Sequence, residues 1–170
     1  MTFAEFEQLP DPRAGRHELR HGQLILVAPH NHGLFVLRSR ICRLLEATTV
    51  EERWIASTSM PFQPQLDYEF RYADVGLIST QRWDATDPEG YIQGAPALVA
   101  EVLSPSNTAA EILDKRQTCL ESGAREFWLV NPGRTTVEVS TPDGHSVIYG
   151  AGQQVPLFFG GSIAVDEIFR

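Results

Sequence analysis

Two carboxylates stand in stretches of sequence that otherwise carry no charge. Asp74 lies within Tyr72-Ala73-Asp74-Val75-Gly76-Leu77-Ile78, and Glu101 within Ala97-Leu98-Val99-Ala100-Glu101-Val102-Leu103. Each run is apolar at nearly every position and suits a strand covered on both faces, where an unpartnered carboxylate is costly. Two acids on neighbouring buried strands have three ways out: one keeps its proton, a cation sits between them, or each finds its own donor. A divalent metal is the sharpest of the three, and an ordinary hydrogen-bonded strand-end residue is the plainest.

Lys115 bears on that choice. After Glu101 the segment Ser104-Pro105-Ser106-Asn107 ends a strand with its proline and offers helix caps with its serines and asparagine. The helix that follows is expected to run to about Ser122-Gly123, where glycine supplies the stop. Thr108, Ile112, Lys115 and Cys119 recur at steps of four, three and four, so they share one side of it. Lys115 therefore either extends its ammonium along an apolar seam to water or reaches the two carboxylates.

The elements that position these groups follow from caps, turns and periodicity. Thr2 and Glu5 form a capping box ahead of the stripe Phe3, Phe6, Leu9. His17 to Val27 reads as a β-hairpin turning at His21-Gly22. Leu34, Leu37, Ile41, Leu44 and Leu45 fit an amphipathic helix over 31–47, with Arg38, Arg40 and Arg43 on its other faces. Trp54-Ile55-Ala56-Ser57 and Met60-Pro61-Phe62-Gln63-Pro64 read as two strands, the second pushed toward an edge by its prolines. A polar stretch from Trp83 to Gly94 reads as a loop.

Glu126 to Val130 is another buried strand. Strand, helix and strand around Glu101 and Trp128 imply a parallel pair inside an otherwise antiparallel sheet. Turns at Asn131-Pro132-Gly133 and Pro142-Asp143-Gly144 lead into the strands 136–141 and 147–149, and the apolar C-terminus closes one end of the core. The expected fold is a mixed α/β domain, a β-sheet core flanked by helices with an N-terminal β-hairpin and a C-terminal β extension.

At 170 residues the chain is long enough for one domain, 1–170, with a real core. No targeting or membrane segment is expected, since no run approaches the roughly 20 apolar residues of a membrane span. Cys42 and Cys119 have no CxxC spacing and read as reduced, packed thiols of a cytoplasmic protein. With 14 Lys and Arg against 22 Asp and Glu, the net charge of −8 counts against passive nucleic-acid binding, which draws on basic surface. An enzyme that meets phosphates through metal ions in a local groove is not excluded. No Gly-x-Ser-x-Gly elbow, P-loop or dinucleotide fingerprint occurs. His30 and His32 form a His-x-His without the further ligands that a zinc site needs, although His30 shares the hairpin-to-helix region that carries Glu18.

Several motifs then agree in order and spacing. His17-Glu18-Leu19-Arg20-His21-Gly22-Gln23-Leu24, Ala73-Asp74-Val75, Glu101-Val102-Leu103-Ser104-Pro105-Ser106, Asp114-Lys115, and Gly123-Ala124-Arg125-Glu126-Phe127-Trp128-Leu129-Val130-Asn131-Pro132 together resemble the Uma-two family. That family comprises bacterial restriction-endonuclease-like domains of the PD-(D/E)XK nuclease superfamily, and the resemblance covers about residues 2 to 140.

It implies a restriction-endonuclease-like fold and a metal-dependent phosphodiesterase site, a hydrolase acting on DNA in preference to RNA. Catalytic residues would be Asp74, Glu101, Lys115 and Glu18. Mg2+ or Mn2+ would be held by Asp74, Glu101, the Val102 carbonyl and Glu18. Lys115 matches a family lysine carried on the helix, while the superfamily's usual lysine position is Leu103 here. Departures are Ala73 for proline, His21-Gly22-Gln23 for Asp-Gly-Glu, Cys119 for tyrosine and Asn131-Pro132 for Asp-Pro, none of which removes a proposed ligand. Cleavage of both DNA strands needs two sites, so a homodimer is the expected assembly. The alternative is an inactive nuclease-fold module that binds protein or nucleic acid.

Overall fold

The computed structural model describes residues 1–49 and 53–170. The chain opens with α1 (Phe3–Phe6), where the Thr2 hydroxyl accepts from the Glu5 N–H and the Glu5 carboxylate accepts from the Thr2 N–H. Phe3 and Phe6 lean on Phe70 with ring centres 5.6 and 5.3 Å away. Strands β1 (Arg16–Arg20) and β2 (Gln23–Val27) then pair antiparallel. His21 and Gly22 make the turn with φ of 49° and 75°, the left-handed pair that matches the twist of a two-residue hairpin. At the open end of this hairpin Gly15 has φ +78°, and a Cβ there would lie 2.2 Å from the Val27 carbonyl oxygen. Only glycine lets the strands close at that point.

Helix α2 (His32–Thr48) is capped by Asn31, whose side chain accepts from the Leu34 N–H. Its buried stripe is Leu34, Leu37, Ile41 and Leu45, as the periodicity required, but Arg38 is buried with them. Strand β3 (Trp54–Gln63) is one ten-residue strand where the sequence suggested two. Its interruption survives as a local kink: Ser59 has φ 52° and drops out of the pairing with β4 (Arg71–Ser79). Pro61 is tolerated because β3 has a full partner on one side only, the other neighbour being the two-residue β5 (Ile92–Gln93).

The polar stretch after β4 is more ordered than its composition suggested. It begins inside helix α3 (Thr80–Ala85), capped by Ser79, and ends in β5. Strand β6 (Leu98–Val102) leads through α4 (Ala109–Glu121) to β7 (Glu126–Asn131), which pairs parallel to β6. The α4 cap is Thr108 in a capping box with Glu111, just past the expected Ser104 to Asn107, and Gly123 at φ +116° ends the helix. Strands β8 (Thr136–Ser140) and β9 (Ser146–Tyr149) extend the sheet, and β10 (Gln154–Pro156), β11 (Ser162–Ala164) and α5 (Val165–Phe169) form the C-terminal extension.

The seven-stranded sheet runs β5-β3-β4-β6-β7-β8-β9, with helices over it. On one face Leu34, Ile41 and Leu45 of α2 and Val155, Ile163 and Ile168 of the extension share a core with Leu77, Ala100, Val102 and Trp128. On the other, Cys119 of α4 packs with Met60, Phe62, Val99 and Phe127. Glu101 sits between Ala100 and Val102, so pleating turns it toward the face that α4 covers. Among the described residues no helix is long and apolar enough to cross a membrane.

Candidate active site

Strand pairing brings the two carboxylates together. Val75 of β4 pairs with Ala100 of β6 in antiparallel register, so one step further along Asp74 and Glu101 are neighbours. Each finds backbone donors on the other's strand. The Asp74 N–H donates to Glu101 Oε1 at 3.0 Å, and the Val102 N–H donates to Asp74 Oδ2 at 3.0 Å. Lys115 does not run out to water. It is 6% exposed, and its Nζ donates to the Tyr72 carbonyl at 2.6 Å and lies 2.8 Å from Glu101 Oε1.

Glu18 arrives from the hairpin, fully buried. Its Oε2 accepts from Arg20 Nε at 3.0 Å, with Arg20 Nη2 at 2.9 Å, and its Oε1 accepts from the Tyr72 N–H at 3.3 Å. Both faces of the Tyr72 peptide are thus used, Glu18 taking the N–H and Lys115 the carbonyl.

The protonation equilibria reflect this crowding. Burial raises Glu101, and Asp74 beside it adds to the effect, so that its pKa reaches about 7 despite Lys115. Burial also pushes Glu18 upward, but Lys115, Arg20 and Arg16 outweigh it and hold Glu18 below the usual carboxylate range. For Lys115 burial works against the ammonium, and Glu101, Glu18 and Asp74 more than reverse it. Cys119, buried beneath, is pushed up to about 12 by desolvation and stays a thiol.

The raised Glu101 makes a pH prediction. Its proton is held in the fold up to about pH 7, whereas the unfolded chain releases it near the ordinary carboxylate value. The folded state therefore binds more protons in that window, and stability from this group falls as pH rises through it. Urea unfolding at about pH 5 and about pH 8 should show wild type losing stability relative to Glu101→Gln, which cannot titrate. An unchanged difference between the two proteins would refute the raised pKa.

Three residues complete the surroundings. Arg38 donates from Nε to the Asp74 carbonyl at 3.3 Å, from Nη1 to His30 Nδ1 at 2.9 Å and from Nη2 to Ser59 Oγ. The kink at Ser59, opposite Asp74 on β3, thus supplies the hydroxyl that holds this guanidinium. Arg16 Nη2, His30 Nδ1 and Arg38 Nε stand 3.8, 3.7 and 3.7 Å from Asp74 Oδ1. None is close enough for a hydrogen bond, and that oxygen is buried without a partner. Burial, together with Arg38, Arg16 and Lys115, keeps His30 below its ordinary pKa although Asp74 opposes them. It is neutral, and its Nδ1 accepts.

His30 was within reach of sequence reasoning, but Arg16 and Arg38 were missed. Arg38 lies four residues after Leu34 and three before Ile41, inside the apolar stripe, and its spacing alone would have flagged it. Arg16 gives no such signal, because its neighbours are set by the Gly15 turn.

A second charged cluster joins the hairpin to α4. Glu69 Oε1 accepts from the His21 N–H at 2.8 Å and lies 2.8 Å from His21 Nδ1, while His21 Nε2 is 2.6 Å from Asp114. Arg71, 1% exposed, bridges Glu69 at 2.7 Å and Asp114 at 3.0 Å.

A hard divalent cation suits the oxygen donors present. The bare Asp74 Oδ1 lacks a partner, and burial with the neighbouring Asp74 charge raises Glu101 to about 7. Among the described residues no group of three or more His, Cys, Asp and Glu is disposed to hold a metal. Mg2+, however, typically takes one or two carboxylates and completes its shell with water and substrate phosphate.

The model of the Uma2 family, described as "Putative restriction endonuclease", matches residues 3–165. A solved structure of "a putative nuclease belonging to DUF820 from Anabaena variabilis ATCC 29413" superposes with a TM-score of 0.83, at 20% identity, covering 99% of this chain and 97% of that one. At that identity the likeness concerns the fold. No curated protein matches the chain.

Proposed function

We propose that this chain, which belongs to the Uma2 family of putative restriction endonucleases, is an Mg2+- or Mn2+-dependent endonuclease. It hydrolyses phosphodiester bonds of DNA in preference to RNA, in the cytoplasm, as a single domain over 1–170 that works as a homodimer. The observation that carries the reading is the pairing of a buried lysine with Glu101, next to an Asp74 oxygen that has no donor of its own. In structural ion pairs the large majority of buried carboxylate oxygens are hydrogen-bonded.

Asp74, Glu101 and the Val102 carbonyl would hold the cation, which when bound activates water and neutralises charge on the phosphate. The chain's own residues do the rest. Arg38 holds the Asp74 backbone carbonyl, and the Val102 N–H holds the carboxylate beside Glu101. Lys115 stays charged, and its ammonium orients the attacking water and steadies the charge that grows on the phosphoryl oxygens. Both Glu18 oxygens are engaged. Its part is to keep Lys115 protonated and to meet the cation through water.

One observation favours the binding-module reading: Arg16 and Arg38 flank Asp74 and offset its charge without a metal. The two readings separate in one assay. Purified protein is incubated with supercoiled plasmid, linear duplex and RNA in Mg2+, Mn2+ or EDTA. DNA cleavage that needs the metal is the expected result. No cleavage of any substrate, with no rise in melting temperature on adding Mn2+, would leave the binding module in its place.

A further inference from the structure

Among the described residues two buried side-chain polar atoms lack a hydrogen-bond partner, Asp74 Oδ1 and Arg16 Nε; Nη2 of the same guanidinium stands 3.8 Å from Asp74 Oδ1, while Nε points toward Glu18 Oε1. One is an acceptor without a donor and the other a donor without an acceptor, yet the guanidinium stays 3.8 Å from the carboxylate. Arg16 also lies 3.6 Å from Glu18 Oε1 and 4.7 Å above the centre of the Tyr72 ring. It is a positioned cation whose hydrogen-bonding capacity is unspent. Arg16, His30 and Arg38 line a cavity of about 260 Å³ whose outer wall includes Pro29 and Phe35. No carboxylate lines it, although acids outnumber bases in the chain. Phe35 is 56% exposed on α2, an apolar ring at the mouth of a cationic cavity.

A cation at Asp74 Oδ1 explains one bare atom and leaves the other unexplained. A phosphodiester monoanion beside that cation would give the Arg16 guanidinium an acceptor, since its planar fork matches phosphate oxygens. We infer that Arg16 binds a non-bridging oxygen of the substrate phosphodiester and that the adjoining nucleoside enters the cavity, its base against Phe35. The inference rests on the nuclease reading and adds the residues that seat the strand. Arg16 follows directly on the Gly15 turn, and its guanidinium rests on the Tyr72 ring.

The test measures binding, so it does not depend on turnover. A short fluorescein-labelled DNA is titrated with the full chain in EDTA across a salt series, following anisotropy. Arg16→Gln should weaken binding about tenfold and make the slope of log affinity against log salt shallower by about 1, the loss of one phosphate contact. Arg16→Lys should restore the slope but only part of the affinity. Phe35→Ala, an exposed site that leaves folding intact, should weaken binding roughly fivefold or more with the slope unchanged. A structural role for Arg16 would not move the salt slope. Wild-type affinity and slope in Arg16→Gln, with a native circular dichroism spectrum, overturn the inference. If that variant also cleaves normally, the nuclease reading stands without it. Absence of DNA binding by wild type overturns it as well.

Discussion

Replacing Lys115 by alanine should reduce single-turnover cleavage about 100- to 1,000-fold, the usual loss when one charged donor is removed from a site where phosphoryl charge develops. The same change should destabilise the fold, because removing one partner of a buried pair typically costs about 3–5 kcal/mol. Here the lower part of that range is expected near pH 7. Glu101 already binds its proton up to about pH 7, so without the ammonium it can remain neutral rather than stand as a bare charge. The cost should therefore grow as pH rises above neutrality, since the acid form must then be given up. Lys115→Met, which keeps most of the volume, separates the two effects. It should recover part of the stability and none of the activity. Cleavage by either variant at the wild-type rate would remove Lys115 from the catalytic machinery.

Asp74→Asn should abolish binding of Mn2+ followed by calorimetry, weakening it at least about 100-fold, and abolish cleavage with it. The fold should tolerate the change. An asparagine oxygen can still accept from the Val102 N–H, as Asp74 Oδ2 does at 3.0 Å. Loss of the neighbouring negative charge should also lower Glu101 from about 7, since Asp74 is the second cause of its elevation after burial. A melting temperature close to wild type, together with lost metal binding, is the expected pair of results. Wild-type Mn2+ affinity in the variant would place the cation elsewhere.

Much of this arrangement was legible in the sequence for a local reason. A carboxylate in an apolar strand and a lysine three residues from an apolar helix position are visible as breaks in periodicity, and caps such as Thr2 with Glu5 and stops such as Gly123 declare themselves by residue type. The order of motifs gave the family. What stayed hidden depends on contacts between segments. The single strand over Trp54–Gln63 was obscured because Ser59 takes a left-handed conformation that serine seldom adopts, stabilised by its bond to Arg38 from a helix 21 residues away. Helix α3 was hidden inside a polar stretch because its Ser79 cap belongs to the preceding strand. Arg16 carries no pattern at all, and its meaning emerges only beside Asp74 and Tyr72.

The hairpin that carries Glu18 lies outside the seven-stranded sheet. Its main-chain ties are the Leu19–Phe70 bridge, with both hydrogen bonds at 2.9 Å, and the Gly22 N–H to the Tyr68 carbonyl. Further anchors are the Tyr72 N–H to the buried Glu18, the His21 N–H to Glu69, and the ion pairs of Arg20 with Glu111 and of His21 with Glu69 and Asp114. Such a unit can detach while the sheet stays intact, a sub-global opening with its own free energy. In native-state hydrogen exchange the amides of β1 and β2 would then form a separate group, protected less than those of β4, β6 and β7 and sensitive to salt through exposed ion pairs. The acidic cluster would be completed and dissolved by breathing of the hairpin, which gives a long strand of nucleic acid a way in without unfolding the domain.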